Sequence, residues 1–206
     1  MPDRRLLADV ADAEVVVAVD SGVRIARSHG LPVHVLIGDL DSASKGDRAW
    51  AQAEAATIVE HPADKDQTDL ELALDHLAEL GAERILALGV DGGRLDHEVG
   101  NWAVLCRPGA AQIEIRTSNG SAIVLHGNGV NSITLDGKEG DLLTLVPVGG
   151  PASGVTIAGA RWPLDSATLQ VGSTRGVSNE FVESSVTVSV ERGSLLVVRP
   201  DPSVCD

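Results

Sequence analysis

Acidic side chains are concentrated in four short segments of the N-terminal half of the chain. Three of these segments directly follow a short apolar run, and the fourth precedes an amphipathic stretch. The segments are Asp20-Ser21-Gly22, Gly38-Asp39-Leu40-Asp41-Ser42, Asp64-Lys65-Asp66-Gln67-Thr68-Asp69 and Gly89-Val90-Asp91-Gly92-Gly93-Arg94-Leu95-Asp96-His97. If the apolar runs are parallel strands of one sheet, the acids lie at the edge where ligands bind. Acids gathered there repel one another unless a cation neutralises them, and hard oxygen ligands select Mg²⁺ or Mn²⁺.

Two basic residues and a glycine pair accompany the acids. Lys65 lies in the third segment, Arg94 lies in the fourth, and Gly92-Gly93 would let a ligand approach the backbone closely. This mixture suits a polyphosphate bound to a metal ion. Phosphoryl-type transfer needs positioned metal, cationic side chains and an aligned acceptor hydroxyl more than it needs covalent help from the protein. The sequence has no GxxxxGKS or GxxxxGKT loop and no kinase-type glycine loop with its partner motifs.

Each acid also has a purely structural interpretation. Asp69 in the first turn of a helix is favoured by the helix dipole, and Asp96 before a helix can act as a cap. Asp-Gly pairs are ordinary in turns. The convergence of four segments, more than any one of them, therefore indicates a metal site.

The apolar runs alternate with amphipathic stretches over residues 6–105, which predicts βαβ units and a parallel sheet. Three near-continuous runs, as expected of strands covered on both faces, are VVVAV at 15–19, VHVLI at 33–37 and RILAL at 84–88. The stretch TDLELALDHLAELG at 68–81 predicts a helix, because its apolar residues recur at helical spacing. Thr68 and Glu71 form a capping box for this helix, and Gly81 can end it.

After Arg107-Pro108-Gly109 the helical period disappears, and short alternating runs follow that are separated by Gly, Asn and Asp turns. The runs include QIEIRT, SAIVLHG, SITLDG, DLLTLVPVGG, GVTIAGA and VTVSVERGSLLVVRP. The last run predicts a hairpin with its turn at Glu191-Arg192-Gly193. The expected fold is therefore α/β plus all-β: an N-terminal parallel-sheet, Rossmann-like domain at 1–107, then an antiparallel β-sandwich or barrel at 108–206.

Composition and charge exclude several classes of protein. The net charge of −14 argues against nucleic-acid binding, which depends on clustered Lys and Arg. No apolar run approaches the roughly 20 residues that span a bilayer, and the N-terminus carries acids where a signal peptide needs an apolar stretch. A soluble, cytoplasmic protein without a membrane partner is expected. Cys106 and Cys205 lack zinc or disulfide spacing, and with three Trp, one Phe and no Tyr the core must consist of Ala, Val, Leu and Ile.

The acid segments also stand in an order that resembles the thiamine pyrophosphokinase family, and two later segments are similar to that family's C-terminal motifs. The resemblance covers most of the chain. Its motifs are Asp20-x-Gly22, Gly38-Asp39-Leu40-Asp41-Ser42, Asp64-Lys65-Asp66-Gln67-Thr68-Asp69, Gly92-Gly93-Arg94-Leu95-Asp96-His97, Asn101, Arg161-Trp162-Pro163-Leu164 and Gly176-Val177-Ser178-Asn179-Glu180.

The resemblance implies a homodimer in which the α/β domain holds ATP, as co-substrate, and Mg²⁺ or Mn²⁺. The β domain of the partner subunit would help to shape a thiamine site. The implied reaction transfers pyrophosphate from ATP to the hydroxyl of thiamine and gives thiamine diphosphate and AMP. Because the hydroxyl must attack the β-phosphorus, the metal should bridge oxygens of the diphosphate that moves.

The resemblance also implies roles for individual residues. The metal and acid cluster would comprise Asp20, Asp39, Asp41 and Asp69. ATP and its phosphates would be bound by Asp20, Gly22, Ser42, Lys65, Arg94 and Asn101. The catalytic group would comprise Asp41, Asp69, Arg94 and Asp96. Asp96 and Asn101 would organise the turn or touch substrate, and His97 is expected to cap the helix or to pack. No general base is assigned, since a metal-bound alcohol hardly needs one.

Three residues of the C-terminal half are implied for thiamine. Ser178 and Asn179 would bind the thiamine end, and Trp162 offers an aromatic face to the cationic thiazolium. The structural alternative stays open. A Ser-Asn pair in a Gly-flanked loop is often only a turn, and a Trp in a β domain is often a core residue.

Two features depart from the family pattern. The family begins with an additional apolar strand and a Gly-containing loop, whereas here RRLLADVADAE at 4–14, which resembles the first helix, follows Met1 almost at once. A truncated start would leave the nucleotide site without one edge of its sheet. The family's Asp-Gly-Gly also appears as Asp20-Ser21-Gly22, which is a mild change if Ser21 does not need a positive φ.

Two other functions compete with the kinase. The segment 38–42 after an apolar strand also resembles the nucleophile motif of haloacid-dehalogenase-type phosphatases, but Ala43 stands where that family has Thr or Val. The phosphatase leaves the β-rich half and the GGRLDH segment unexplained. A non-catalytic thiamine- or nucleotide-binding module is the other alternative, and the retention of nearly every acid speaks against it.

Overall fold

The computed structural model of the chain describes residues 10, 12–41 and 43–204. The chain divides into two compact units, Met1–Ala82 and Glu83–Asp206. This division lies before the boundary predicted between residues 107 and 108, because the strand at 84–88 pairs with the strand at 112–117 inside the second unit. The functional division into 1–107 and 108–206 stays a prediction. Most of the helix predicted at 4–14, together with Ser42 and Cys205, lies outside the described residues.

In its described residues the first unit contains a parallel sheet of order β1-β2-β3 and three helices. Its strands are β1 (Val17–Val19), β2 (Val35–Gly38) and β3 (Thr57–Glu60), and its helices are α1 (Gly22–His29), α2 (Lys45–Ala53) and α3 (Asp69–Glu79). Aliphatic side chains form its core, with Val23, Leu36 and Leu40 almost completely buried. The expected small parallel α/β half is therefore present.

The helix predicted at 68–81 is confirmed as α3, and both of its predicted ends are present. The Thr68 hydroxyl accepts a hydrogen bond from the Glu71 backbone N–H at 3.3 Å, which caps the N-terminus. At the other end Gly81 has φ +74°, a conformation that glycine adopts without steric cost. The N–H groups of Gly81 and Ala82 then return to carbonyls of the last helical turn.

One strand assignment from the sequence is wrong. The run RILAL was expected in the same sheet as VVVAV and VHVLI, yet it forms β4 (Arg84–Leu88) and pairs in parallel with β5 in the second unit. The third strand of the first sheet is β3, whose sequence TIVE has exposed residues at both ends. A four-residue strand of this kind carries too short an apolar run to be recognised by pattern.

The second unit contains β4, one helix and a large mixed sheet of order β4-β5-β6-β12-β8-β11-β7, with β9 and β10 also paired to β8. Apart from the parallel β4–β5 pair, the pairings within it are antiparallel, as expected. The further elements are α4 (Leu95–Leu105), β5 (Gln112–Thr117), β6 (Gly120–His126), β7 (Ser132–Asp136), β8 (Leu142–Ala158), β9 (Leu164–Leu169), β10 (Asn179–Glu180), β11 (Ser185–Ser189), β12 (Arg192–Pro200) and a short 3-10 turn, Pro202–Val204.

The hairpin predicted around Glu191-Arg192-Gly193 is wrong, because β11 and β12 do not pair with each other. Strand β8 lies between them and pairs with both. This strand joins the two runs DLLTLVPVGG and GVTIAGA into one continuous element of 17 residues. The glycines inside it, which predicted an interruption, are accommodated within the strand at Gly149 and Gly154, both with positive φ.

The core of the second unit is built from Leu, Val, Ile and Ala around Phe181, the largest of its fully buried side chains. The expected aliphatic core is thus present, with one aromatic ring at its centre. Among the described helices, none has the length and apolar character needed to cross a membrane.

Candidate active site

The carboxyl ends of β1 and β2 bring three of the predicted acids together. Asp20 directly follows β1 and Asp39 follows β2, and because the two strands are parallel neighbours their ends meet. The Asp20 N–H donates to the Ile37 carbonyl at 2.9 Å, which continues the strand pairing up to the acid. One carboxylate oxygen each from Asp20, Asp39 and Asp41 lies within 4.8 Å of the other two.

The backbone around these acids adopts conformations that residues with side chains rarely occupy. Asp20 has φ +44° and Leu40 has φ +59°. The Leu40 side chain is 1% exposed and packs into the core, so the loop is anchored there between Asp39 and Asp41. A side chain at Gly38 would meet Asp20 Cβ at 3.2 Å and Asp69 Cγ at 3.3 Å. Such local strain is typical of sites that the surrounding structure holds in place.

Lys65 lies inside the acid cluster. Its ammonium nitrogen lies 2.9 Å from Asp69 Oδ1 and 3.8 Å from Asp39 Oδ2, and it donates to the Pro62 carbonyl at 3.1 Å. Burial opposes the charged ammonium, but the hydrogen bond and charge of Asp69, with the charges of Asp39 and Asp20, outweigh it and raise the pKa of Lys65. The Asp41 backbone N–H, donating to Asp39 Oδ1 at 3.1 Å, together with Lys65 lowers the pKa of Asp39.

The donor set of this cluster fits a hard divalent cation. Asp20, Asp39 and Asp41 offer only carboxylate oxygens, which are the ligands that Mg²⁺ and Mn²⁺ prefer. Asp69 lies beside Gly38, as Asp20 does, but its Oδ1 is bound to the Lys65 ammonium. The predicted metal role of Asp69 therefore differs in geometry from that of the other three acids.

Two nearby positions bear on the site. Ser21, which replaces a glycine of the family pattern, has φ −63° and precedes Gly22 at the start of α1, so the replacement introduces no backbone strain there. Arg48 on α2 was not identified from the sequence. Its guanidinium donates to the Leu40 carbonyl at 2.9 Å and lies 3.4 Å from Glu60 Oε1.

The fourth acid segment belongs to the second unit, where its members bind one another. The Arg94 guanidinium makes two hydrogen bonds to the Asp96 carboxylate, at 2.6 and 3.1 Å, and both side chains are largely exposed. The hydrogen bond from Arg94 lowers the pKa of Asp96. Asn101 Nδ2 donates to the Val90 carbonyl at 3.2 Å, so Asn101 organises this turn. The His97 N–H donates to Asp96 Oδ1.

The residues predicted for thiamine gather at another place in the second unit. A cavity of about 270 Å³ is lined by Trp162, Arg175, Val177, Ser178 and Asn179. Trp162 is 53% exposed, so it is not the core residue of the structural alternative. Ser178 has φ +59° and its N–H donates to the Thr144 hydroxyl at 3.0 Å. Arg175, an exposed residue of a loop, was not singled out from the sequence.

Asn179 differs from its neighbours because it is buried. Its Oδ1 accepts from the N–H groups of Trp162 and Glu180, at 3.0 and 2.9 Å, and its Nδ2 donates to the Trp162 carbonyl at 2.7 Å. The Arg161 guanidinium lies over the Trp162 ring, 5.1 Å from its centroid, and is bound to Glu180 Oε2 at 2.8 Å.

Comparison with known proteins agrees with this arrangement of motifs. The thiamin pyrophosphokinase catalytic-domain model matches residues 8–117, more than half of the chain, and the thiamin pyrophosphokinase vitamin B1 binding-domain model matches residues 130–195. The chain is 30% identical over 184 residues to a thiamine pyrophosphokinase of Bacillus subtilis, covering 89% of this chain and 86% of that protein. It is 32% identical over 162 residues to thiamine pyrophosphokinase 1 of rice, covering 75% of this chain and 61% of that longer protein.

The fold agrees as well. The crystal structure of thiamine pyrophosphokinase from Bacillus subtilis superimposes with a TM-score of 0.80 at 27% identity, covering 95% of this chain and 92% of that one. Both halves of the sequence thus match a single family, and the matched ranges include the acid cluster and the residues that line the cavity. The chain belongs to the thiamine pyrophosphokinase family.

Proposed function

We propose that this protein transfers the pyrophosphoryl group of ATP to the hydroxyl of thiamine, giving thiamine diphosphate and AMP. The observation that carries the proposal is the meeting of Asp20, Asp39 and Asp41 within 4.8 Å, beside Lys65, in a chain of this family. A magnesium polyphosphate carries charges of both signs. The carboxylates suit its Mg²⁺, and the ammonium suits its phosphate oxygens.

In this proposal Asp20, Asp39 and Asp41 would hold Mg²⁺ or Mn²⁺, and the ion when bound would supply electrostatic stabilisation of phosphate oxygens. Lys65 is already held among the acids and would face phosphate oxygens when ATP binds. Arg94 would release the Asp96 carboxylate and bind a phosphate group of ATP. Carboxylate and phosphate are both oxyanions that accept two parallel N–H bonds from a guanidinium. Gly22, at the N-terminus of α1, would let phosphate approach the helix start.

Thiamine is a cation, and its recognition in this proposal follows from charge and aromatic contact. The net charge of −14 favours the approach of a cationic substrate to the protein, but it does not locate the site. Trp162 is exposed on the cavity and offers a ring face to the thiazolium, with a stabilisation of about 0.5–2 kcal/mol. Ser178 lines the same cavity and would contact the substrate's polar end.

We further infer a homodimer located in the cytoplasm. Leu95 and Val99 lie one turn apart on α4 and are both exposed, so a partner subunit would have apolar side chains to cover there. Light scattering coupled to size-exclusion chromatography measures the molar mass directly. A mass of one chain at micromolar concentration would contradict the dimer.

The test of function is product analysis by mass spectrometry. Purified protein is incubated with ATP, Mg²⁺ and thiamine, beside the variant Asp41→Asn and the control Glu54→Gln, an exposed acid at the end of α2 in the same unit. We expect wild type and control to form thiamine diphosphate and AMP in equal amounts. Asp41→Asn should lose activity by at least about a hundredfold, as expected when a metal ligand is removed.

The products also decide between the alternatives. Release of inorganic phosphate without AMP would support the phosphatase, whose motif covers only residues 38–42. Thiamine binding without either product would support the non-catalytic module. Loss of activity in the control as well as in Asp41→Asn would show that the acid cluster is not specifically involved.

A further inference from the structure

Asn179 is a buried polar side chain whose hydrogen bonds go to backbone groups of the protein. We propose that Asn179 is a positioning residue for thiamine: it fixes the backbone of Trp162, so that the indole is held at the cavity before substrate arrives. The proposal rests on the proposed function, since it names how the thiamine end of that site is organised. It assigns Asn179 a role that acts through Trp162, in place of direct contact with substrate.

The contacts of Asn179 form a closed set around one peptide segment. Its amide binds both backbone groups of Trp162, accepting from the N–H at 3.0 Å and donating to the carbonyl at 2.7 Å. The same Oδ1 accepts from the Glu180 N–H at 2.9 Å. With both lone pairs of Oδ1 and one Nδ2 hydrogen in use, one N–H donor of the amide remains.

These three hydrogen bonds form a backbone clamp that is partly shielded from water. Asn179 is 7% exposed, and removing its amide would leave three backbone groups at this site without their partner. A shielded polar group that loses its partner destabilises the segment that carries it. A backbone hydrogen bond also joins the segment around Trp162 to β10, because the Arg161 N–H donates to the Glu180 carbonyl at 2.8 Å.

Glu180, the residue after Asn179, also affects the Trp162 ring, through Arg161. Glu180 holds the Arg161 guanidinium at 2.8 Å, and that guanidinium lies 5.1 Å from the centroid of the Trp162 ring. An indole has two faces, and a cation on one face leaves the other for a cationic ligand. Asn179 therefore sets the position of the Trp162 backbone, and Glu180 through Arg161 occupies one face of its ring.

The first experiment measures Trp162 in the protein without ligand. In a background of Trp50→Phe and Trp102→Phe, Trp162 is the remaining tryptophan, and acrylamide quenching of its fluorescence reports its accessibility and mobility. We expect Asn179→Ala to raise the quenching constant about twofold, whereas Asn128→Ala, an exposed asparagine of the same unit, leaves it unchanged. Far-ultraviolet circular dichroism confirms that each variant is folded.

Asn179→Asp keeps the acceptor for both N–H groups but removes the donor to the Trp162 carbonyl. Its quenching constant should therefore lie between those of wild type and Asn179→Ala. Asn179→Asp is also the variant to use if Asn179→Ala does not fold, and Glu180→Gln tests separately whether Arg161 is held over the ring. Unchanged quenching in the folded Asn179 variants would overturn the clamp.

The second experiment is a double-mutant cycle on thiamine kinetics. Asn179→Ala should raise the KM for thiamine about tenfold while the KM for ATP and kcat change less than about threefold. In a Trp162→Ala background, Asn179→Ala should change the thiamine KM by less than about twofold, because its effect passes through the indole. Full additivity of the two substitutions would show that Asn179 contacts thiamine directly, and would overturn the positioning role.

Failure of the proposed function is distinguishable from failure of the clamp. If wild-type protein makes no thiamine diphosphate, the function is wrong, but the quenching experiment still decides whether Asn179 fixes Trp162. If wild type is active and quenching is unchanged by Asn179→Ala, the function stands and the clamp is wrong.

Discussion

Leu40 connects the core of the first unit to the acid cluster. Its left-handed backbone costs about 1–2 kcal/mol for a residue with a side chain, and burial of the leucine side chain returns about 2 kcal/mol. The loop is thus held in a conformation that the chain would not adopt alone. Arg48 adds a hydrogen bond to the Leu40 carbonyl. Asp39 and Asp41 flank this fixed residue, so their separation depends on it.

We expect Arg48→Met to weaken metal binding without unfolding the protein. The substitution keeps the aliphatic contacts of the side chain but removes the hydrogen bond that holds the Leu40 carbonyl. Partners that orient metal ligands commonly change affinity by about tenfold or more. The measurement is Mn²⁺ binding by electron paramagnetic resonance, which does not require turnover.

Arg24→Met is the matched control for this experiment, since Arg24 is an exposed arginine of α1 in the same unit. Equal Mn²⁺ affinity in Arg48→Met and wild type would show that the Leu40 loop holds its shape without Arg48.

At the scale of single residues, the sequence predicted those whose position follows from the end of a strand. Asp20 and Asp39 belong to this group, since an acid after an apolar run lies at the edge of the sheet. Arg48 and the buried amide of Asn179 were not predicted in their roles. Each acts across the fold on the backbone of another segment, and no local spacing in the sequence records such a contact.

Helix α2 begins with a capping box that also fixes its neighbour α1. The Ser44 hydroxyl accepts from the Asp47 N–H at 3.1 Å and donates to Asp47 Oδ2 at 2.6 Å. Asp47 Oδ1 lies 3.2 Å from the Arg27 guanidinium on α1. The hydrogen bond from Ser44, followed by that from Arg27, lowers the pKa of Asp47 below its ordinary value of 3.8. One carboxylate therefore stabilises both the start of α2 and its contact with α1.

We expect Asp47→Asn to lower the melting temperature at neutral pH, by an amount that shrinks in acid. A carboxyl group with a lowered pKa in the folded state stabilises the protein above its unfolded pKa, here 3.8. That contribution is lost as the pH falls through the lower folded-state pKa. The measurement is the melting temperature of wild type and variant between pH 7 and strongly acidic buffer.

Glu79→Gln, at the exposed end of α3, controls for the loss of one negative charge in the same unit. A difference between wild type and Asp47→Asn that stays constant at every pH would contradict the assignment to the ionised carboxylate.

At the scale of elements, periodicity and caps located α3 and most strands, because those signals are local. The partners of the strands could not be predicted in the same way. The run RILAL predicts a strand but does not specify its sheet, and β4 pairs with β5 because that strand follows it after a single helix. The apparent hairpin at 185–200 failed for a similar reason, since β8 pairs with both β11 and β12 from far earlier in the chain.

The whole molecule carries a net charge of −14, and self-repulsion of this size opposes the compact state. Salt should therefore raise the melting temperature by screening. We expect MgCl₂ to raise it further than NaCl at matched ionic strength, because an ion that binds the folded state contributes about 2.7 kcal/mol at a hundred times its Kd. Differential scanning fluorimetry measures both effects.

The double variant Asp39→Asn/Asp41→Asn should keep the response to NaCl and lose the additional response to MgCl₂. If the double variant keeps the full difference between the two salts, the Mg²⁺ effect arises elsewhere than at the acid cluster.

The central position of β8 has a consequence for how the protein is made. Its residues 144–148 pair with residues 194–198 of β12, so on the ribosome β8 emerges with its main partner still to be synthesised. At about 5–20 residues per second this interval lasts seconds. The elements of the first unit, which all lie before residue 82, can close during translation. In the second unit, β8 stays unpaired with β12 until β12 is synthesised. We therefore expect the folding yield of this unit to depend on chaperones and growth temperature.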